Sequence, residues 1–453
     1  MHPSQEMPAP TARPWPQLVA ALLLATAAAC TTGPLRNLAQ PSSPYDSYRE
    51  SLRSSGLDQT ALGRDWVQAG SDALARATAA TLPLHEVGFF AADAPAALGY
   101  RLELQRGRVL RVDVTFESTQ TGRLFVDLFE LRPGEAPRLE ASLAPETMSL
   151  THEAEGDGTY VLRVQPELLR GGRFTVVQRS LSSLAFPLTG VTARAVQSLF
   201  GMDRDAGARR HEGIDIFAPR GTAAVAVADG IAQPSTNNLG GNVVWLHDRR
   251  RGATFYYAHL DRWAFTESAT VKIGDVVGYV GNTGNARTTA PHLHFGIYAR
   301  GAVDPLPFVR ADDAVPEPPA AGPVERLDTQ VRTTAARTVL RDGLAAPGVE
   351  RGQLARDTVM RVVAASRTSL RVALPDGTTG YLAATAVRPV QSPLRRQALA
   401  PGVVVRDQPL PQAAPMHVVA DGATVDVLGR FGDFTLVRLP SGPSGWVDLS
   451  TGT

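Results

Sequence analysis

Residues 288–297 read T-T-A-P-H-L-H-F-G-I, and two histidines stand one residue apart in this stretch. Leucine, phenylalanine and isoleucine alternate with them, and strand residues two apart point to the same face of a sheet. The pattern therefore predicts a β-strand with His292 and His294 side by side on one face and apolar side chains turned into a core. Two imidazoles are rarely placed on one strand face for packing alone, so the stretch indicates a functional site.

The other histidines of the chain are concentrated around the same region. Nine histidines occur in the sequence, and five of them lie within 84 residues, namely His211, His247, His259, His292 and His294. His211 precedes Asp215 by four residues, an even spacing that an extended strand would place on one face, with Gly213 leaving space between them. His259 follows a second apolar stretch, and His247 stands before a charged turn, which favours a surface position for it.

One carboxylate and several imidazoles on neighbouring strands suit a metal centre. A catalytic zinc ion commonly takes three protein ligands from histidine and carboxylate side chains and leaves a fourth position for water. The H-x-x-x-D spacing carries little information by itself, whereas its combination with H-x-H within 84 residues is specific. Spacing alone leaves open which histidine binds metal and which takes part in proton transfer.

Five segments, in this order, resemble the lysostaphin-type (LytM-like) zinc metalloendopeptidases of the bacterial cell wall. They are H-E-G-I-D-I-F-A-P-R-G-T, V-A-D-G, Y-A-H-L-D, G-D-V-V-G-Y-V-G-N-T-G and P-H-L-H-F-G-I. The resemblance covers residues 186–309, roughly a quarter of the chain. It implies a central antiparallel β metallopeptidase domain with Zn²⁺ as cofactor. Gly296 stands where some members of the family carry Glu, so the resemblance leaves the details of substrate binding open.

The resemblance also assigns roles to five residues. It implies that the zinc ligands are His211, Asp215 and His294 and that the catalytic residues are His259 and His292. The choice of general base between the two catalytic histidines stays open. A bound zinc ion lowers the pKa of a water molecule towards about 7, and a neutral histidine can accept the proton as the water attacks a peptide carbonyl.

These residues predict an enzyme that hydrolyses the peptide cross-links of peptidoglycan. Peptidoglycan is therefore the expected partner of the protein. An alternative is a non-catalytic wall-binding protein that activates a separate peptidoglycan amidase, and a third is a lipid-anchored scaffold without activity. Family members of the activating type usually lack zinc ligands or catalytic histidines. Because all five are present here, catalysis is the favoured prediction, with a D-Ala to diamino-acid cross-link as the expected substrate.

Charge argues against nucleic acid as a partner. The 45 basic and 44 acidic residues give a net charge of +1, and no long basic run occurs.

The N-terminal region predicts export and a lipid anchor. The run P-Q-L-V-A-A-L-L-L-A-T-A-A-A-C ends at Cys30, the sole cysteine, and is too short to span a bilayer as a mature helix. It resembles a lipoprotein signal peptide, which implies removal of residues 1–29 and lipidation of Cys30. The expected location is the cell envelope, at the outer membrane facing the periplasm. An ordinary cleaved signal with an incidental cysteine is the alternative.

The rest of the chain predicts further β domains. Strand-like segments of period two at residues 83–182 favour a β-sandwich. R-V-A-L-P-D-G-T-T-G-Y-L at 371–382 returns 65 residues later as L-V-R-L-P-S-G-P-S-G-W-V at 436–447, and the repeat resembles bacterial SH3-like barrels. The repeats could bind the wall or act as spacers. The first surface residues to test are Arg341, Tyr381, Arg406 and Trp446, although both aromatic side chains could be core residues.

Together these patterns predict a mostly β protein with an N-terminal helix plus β-sandwich, the metallopeptidase domain and two small C-terminal β-barrels. The predicted segments are 1–29 lipoprotein signal peptide, 30–45 tether, 46–82 helical segment, 83–182 β-sandwich, 183–312 zinc endopeptidase domain, 313–325 proline-rich linker, 326–391 first SH3-like repeat and 392–453 second SH3-like repeat.

Overall fold

The computed structural model describes residues 43–118, 120–311, 314–345, 348–419 and 423–449. The predicted signal peptide and Cys30 lie outside these residues. Among the residues described, no helix is both long and apolar enough to cross a membrane. Most of the described chain is β-structure in several antiparallel sheets, which confirms the predicted fold class.

Two helices precede the strands. Helix α1 (Pro44–Ser54) begins at a capping box on Ser43, and α2 spans Ala61–Ala75. Trp66 of α2 is 1% exposed, and its indole N–H donates to a backbone carbonyl of the sandwich at 2.8 Å. A Cβ at Gly70 would lie 2.3 Å from a tyrosine hydroxyl of α1, so this glycine permits the close approach of the two helices.

The first nine strands form a two-sheet sandwich. They are β1 (Thr78–Ala79), β2 (Leu84–Phe90), β3 (Leu98–Leu104), β4 (Arg108–Ser118), β5 (Leu124–Leu131), β6 (Arg138–Ser142), β7 (Ser149–Glu153), β8 (Gly158–Pro166) and β9 (Gly172–Ser182). One sheet has the order β1-β3-β8-β5-β6, and β2-β9-β4-β7 lie in the other. Buried and more exposed side chains alternate along β2, in agreement with the period-two pattern of the sequence.

The central domain contains a large ten-stranded antiparallel sheet and a small two-stranded one. Its strands are β10 (Val196–Ser198), β11 (Asp203–Arg204), β12 (Arg209–Arg210), β13 (Ile214–Phe217), β14 (Ala223–Val225), β15 (Gly230–Asn237), β16 (Gly241–Asp248), β17 (Ala253–Trp263), β18 (Ala269–Val271), β19 (Val276–Val280), β20 (His292–Tyr298) and β21 (Ala302–Val303), and helix α3 (Leu306–Val309) follows. The main order is β10-β13-β20-β17-β16-β15-β18, while β11 and β12 form a separate hairpin.

The C-terminal region contains two sets of strands. They are β22 (Gln330–Thr333), β23 (Arg337–Arg341), β24 (Glu350–Ala355), β25 (Val359–Ser366), β26 (Ser369–Ala373), β27 (Thr379–Ala383) and β28 (Val387–Pro389), then β29 (Arg395–Ala398), β30 (Val404–Arg406), β31 (Pro415–Val418), β32 (Thr424–Phe431), β33 (Phe434–Arg438) and β34 (Ser444–Asp448). Arg341 pairs with Tyr381, and Arg406 pairs with Trp446. These positions are 65 residues apart, so the two repeats contain the same strand pairing. Both aromatic side chains are buried.

Short helical turns complete the described structure. They are helix α4 (Ala321–Val324) and the 3₁₀ turns Leu57–Gln59, Ala193–Ala195, Asp205–Gly207, Gly284–Thr288 and Ala384–Ala386.

The first repeat continues a sheet of the sandwich. Strand β25 pairs with β2 through Val87–Ala365 and Gly88–Ala364. The edge of β25 is thus shared between β22 and β2. In the described residues, the strand pairing leaves both repeats as open sheets, instead of the closed barrels that the resemblance implied. In the first repeat, part of the edge of β25 is taken by β2 of the sandwich.

A buried polar cluster joins the sandwich to the first repeat. Glu86 is 0% exposed and accepts hydrogen bonds of 2.6 Å from the hydroxyls of Tyr100 and Tyr381. Arg371, 1% exposed, lies 3.3 Å from the same carboxylate and donates to the Gly99 carbonyl at 2.8 Å. A buried charge that loses its partner is costly, so this cluster holds the two units in one arrangement.

Candidate metal centre

Strands β13 and β20 place Asp215 directly opposite His294 in the antiparallel register. The neighbouring residues in each strand, Ile214 and Leu293 among them, are fully buried in the core beneath the sheet. Alternation therefore turns Asp215, His292 and His294 to the other face, as the sequence pattern predicts. His211 lies outside the strand, since β13 begins only at Ile214, and reaches the group from the preceding loop.

Three side-chain atoms converge at this point. Nε2 of His211 lies 3.0 Å from Oδ1 of Asp215 and 3.0 Å from Nδ1 of His294. Nδ1 of His294 also lies 3.0 Å from Oδ1 of Asp215, which closes a nearly equilateral triangle. Ligands of a tetrahedral zinc ion at 2.0–2.1 Å would be separated by roughly 3.3 Å. The triangle therefore has the size of a small divalent cation site.

The hydrogen bonds around His211 orient its Nε2 towards the triangle. Nδ1 of His211 lies 2.8 Å from the Leu199 carbonyl, which can only accept, so Nδ1 carries the proton. When this ring is neutral, as a metal ligand must be, its Nε2 presents a lone pair to the carboxylate oxygen of Asp215 at 3.0 Å. A metal ion in the triangle would turn this contact into coordination, with Leu199 fixing the tautomer.

Arg204 occupies the second oxygen of the aspartate. Its Nη2 lies 2.8 Å from Oδ2 of Asp215 and also contacts the Ser198 hydroxyl, which lies 3.3 Å from Nδ1 of His211. Burial opposes ionisation of Asp215, but hydrogen bonds and positive charge from His211 and His294, in the protonated forms of these rings, outweigh burial and hold the pKa of this carboxyl well below its usual range. Asp215 is therefore an anion whose Oδ1 alone faces the triangle.

His259 reaches the same face through a break in the strand pattern. Phe255 and Tyr257 of β17 point into the core, and strict alternation would send His259 there as well. The backbone of His259 is left-handed, with φ of 62°, and the register of β17 shifts beside it. This bulge turns the imidazole out of the core, and its ring centroid lies 4.9 Å from that of His292.

His259 and His292 are held in the same tautomer. Nδ1 of His259 lies 2.9 Å from the Thr283 carbonyl, and Nδ1 of His292 lies 2.9 Å from the Ala290 carbonyl. Both Nδ1 atoms must donate, so Nε2 of each neutral ring is left as a proton acceptor. Burial, reinforced by the neighbouring His292, lowers the pKa of His259 to about 4. His259 is therefore a neutral base at physiological pH.

These residues line one open cleft of about 750 Å³. All five predicted site residues border it, and every lining residue lies between Ser198 and Tyr298. The sandwich and the repeats, as far as the structure describes them, therefore do not line the cleft.

The structure separates the other candidates from this site. His247 bonds to Thr254 and does not line the cleft. Sequence reasoning missed Ser198, Arg204, Tyr256 and Tyr298, which line it. The sequence signal for these residues was their proximity to the metal-type motifs. For Tyr298, strand alternation also places the side chain on the same face as His294.

The fold and the cleft define the class of protein: a β-sheet domain with a His-Asp-His group of metal-ligating type and two further imidazoles beside it. Residues 209–305 match the family model described as Peptidase family M23, so the chain contains a Peptidase family M23 domain.

Individual relatives match the same part of the chain. An L-Ala--D-Glu endopeptidase of Bacillus subtilis is 34% identical over 145 residues, which cover 29% of this chain and 44% of that protein. The DD-carboxypeptidase/endopeptidase Mpg of Neisseria meningitidis is 42% identical over 88 residues, which cover 19% of this chain and 20% of Mpg. A solved structure of LytU is 33% identical, the match covers 25% of this chain and 83% of the chain in that structure, and the TM-score is 0.24. The chain thus spans less than half the length of these two endopeptidases.

Proposed function

We propose that the protein is a zinc-dependent endopeptidase that hydrolyses peptide cross-links of peptidoglycan at the cell envelope. The observation that carries this proposal is the triangle of His211, Asp215 and His294 next to two imidazoles with free Nε2 atoms. The Peptidase family M23 domain and its endopeptidase relatives support the same reaction class.

His211, Asp215 and His294 would hold the zinc ion through Nε2, Oδ1 and Nδ1. When bound there, zinc supplies Lewis acidity, which favours ionisation of water and polarises a peptide carbonyl. Asp215 contributes one negative charge, because its pKa is low, and the two histidines contribute neutral nitrogen atoms. The donor set of two imidazoles and one carboxylate is a common one for catalytic zinc.

His259 and His292 can divide the proton chemistry between them. Either ring, fixed by its Nδ1–H bond to a backbone carbonyl, can accept a proton from the attacking water at Nε2. The same ring, once protonated, can donate that proton to the departing amine. The second imidazole can stabilise the developing oxyanion when it carries a proton.

The intact set of five residues favours catalysis over a role as an activator of a separate amidase. A binding protein has no need for imidazoles held in one tautomer beside a metal-ligand group. We further propose that the bond cleaved is the D-Ala to diamino-acid cross-link.

The decisive experiment uses purified sacculi. The wild-type protein, loaded with zinc, should release fragments with new amino termini at the cross-links, as identified by mass spectrometry. His292→Ala should release few of them while remaining folded by circular dichroism. Binding of sacculi without any release by the wild-type protein would favour the activator instead.

The location belongs to the same proposal. We propose that Cys30 is lipidated and anchors the protein to the outer membrane facing the periplasm, on the basis of the sequence that precedes it. Radiolabelled palmitate should enter the wild-type protein in cells and not the Cys30→Ser variant. Equal labelling of the two would contradict the anchor.

A further inference from the structure

The sheet face that carries the metal-ligand group continues past His294 to a second group of side chains. His294, Gly296 and Tyr298 are two residues apart along β20 and share that face. Tyr256 of β17 pairs with Gly296, and its ring centroid lies 5.8 Å from that of His294. The Tyr298 hydroxyl donates to Oε2 of Glu212 at 3.4 Å, so the carboxylate borders the same surface.

Gly296 keeps this surface open. A Cβ at this position would lie 3.0 Å from the Glu212 carbonyl oxygen and 3.2 Å from Cε2 of Tyr298. A longer side chain would extend between the two tyrosine rings and cover them.

We propose that Glu212, Tyr256 and Tyr298 form a subsite for a primary ammonium group on the substrate peptide, close to the scissile bond. All three line the cleft that contains the metal-ligand group. Trp245 supports the aromatic surface, because its ring centroid lies 4.2 Å from that of Tyr256 and 6.0 Å from that of Tyr298.

The chemistry of the three side chains favours a cation. The Glu212 residue is exposed, and among the described residues no arginine or lysine forms an ion pair with its carboxylate. Carboxylates accept hydrogen bonds from ammonium groups, and the faces of tyrosine and tryptophan attract cations. Burial and the neighbouring Glu212 raise the pKa of Tyr298 to about 12, so its hydroxyl stays neutral and adds no second negative charge.

This inference rests on the proposed function and narrows its substrate. In a D-Ala to diamino-acid cross-link, the acceptor's side-chain amine has become the nitrogen of the scissile amide. The free side-chain amine is that of the diamino acid that precedes D-Ala in the donor stem. The carboxylate of Glu212 would pair with that amine, and the aromatic rings would contact the methylene chain. We therefore expect the enzyme to cleave a peptide with a free, charged amine faster than the same peptide with that amine acetylated and neutral.

The test uses two synthetic cross-linked peptides that differ only by acetylation of the free side-chain amine of the donor-stem diamino acid. Wild-type protein should cleave the free-amine peptide with kcat/KM at least about tenfold higher, a factor expected for one charge-assisted hydrogen bond. Glu212→Gln should lose that preference while keeping its zinc content. Glu267→Gln, an exposed residue of the same domain, serves as the matched control.

Equal cleavage of the two peptides by the wild-type protein would overturn the subsite and leave the proposed function intact. An unchanged preference in Glu212→Gln would also overturn it. Cleavage of neither peptide by zinc-loaded wild-type protein would overturn the proposed function itself, and the subsite with it. Tyr298→Phe removes only the hydroxyl and should reduce the preference less than Glu212→Gln.

Discussion

The guanidinium of Arg204 lies 2.8 Å from Oδ2 of Asp215, whereas Oδ1 of the same carboxylate lies 3.0 Å from a nitrogen of each ligand histidine. The two oxygens of one aspartate thus have separate partners. Arg204 restricts the carboxylate to one oxygen towards the metal-ligand triangle and fixes its orientation. Such outer contacts commonly change metal affinity or activity by 10- to 100-fold when they are removed.

We therefore expect Arg204→Met to weaken zinc binding about tenfold or more, because Asp215 would lose its fixed orientation. The measurement is the zinc dissociation constant by chelator competition. Arg204→Lys should recover part of the loss, since it keeps the charge without the planar fork. Arg249→Met, on the exposed turn after β16, is the matched control. If Arg204→Met binds zinc with wild-type affinity, Arg204 does not orient Asp215 for metal binding.

His292→Ala and His294→Ala should fail in different ways. His294→Ala removes a corner of the triangle, so bound zinc and activity should both fall. His292→Ala leaves the triangle intact, so zinc should stay near one equivalent while turnover falls about a hundredfold or more. Metal analysis and peptide turnover on both variants separate the two outcomes. Equal zinc loss would identify His292 as a fourth ligand.

The metal-free protein should lose stability in mild acid through His259. Its pKa is about 4 in the folded state, against about 6.5 when unfolded. Between these values the unfolded chain binds more protons, so stability rises with pH and is lost as pH falls from about 6.5 to 4. The difference corresponds to roughly 3 kcal/mol at most.

Urea unfolding of the metal-free protein at pH 7.5 and pH 4.5 tests this expectation. His259→Asn is the suitable variant, because asparagine tolerates the left-handed backbone at this position. Its stability should depend less on pH than that of the wild-type protein. An identical pH dependence would show that His259 does not titrate in this window.

Breaking the buried Glu86–Arg371 pair should destabilise the sandwich and the first repeat together. Glu86→Gln or Arg371→Met should each cost about 3–5 kcal/mol, because each leaves the other charge buried and unpaired. The double variant should cost less than the sum of the two. Urea unfolding is the measurement, and Arg53→Met, from an exposed pair on α1, should change stability by less than about 1 kcal/mol. Additive effects would argue against coupling across the interface.

Local alternation was enough to predict the most important part of the site. The H-L-H-F-G-I stretch forms β20, and its histidines lie on the face opposite the apolar core. The position of His259 could not be predicted in this way, because it depends on a left-handed residue that reverses the alternation of β17. The role of Arg204 was hidden for a related reason, since a hairpin outside the main sheet carries it to Asp215.

The repeats illustrate a different limit. The 65-residue period correctly predicted a strand, a turn and a strand in each repeat, which form the pairs β26–β27 and β33–β34. Their union with the sandwich depends on β2 and β25, which are separated by almost 300 residues in sequence. Tyr381 is buried, and its hydroxyl donates to the carboxylate of Glu86, a residue in that distant strand. The sequence of the repeat alone could not predict this contact.

The pairing of β2 with β25 has a mechanical consequence. The peptidase domain leaves the sandwich after β9 and the chain returns to the sandwich's own sheet at β25, so the catalytic domain is an insertion within a continuous β scaffold. Tension applied between the N-terminal helices and the C-terminal repeats would be transmitted across the β2–β25 pairing and the Glu86–Arg371 contact. None of the described residues that line the cleft takes part in either contact.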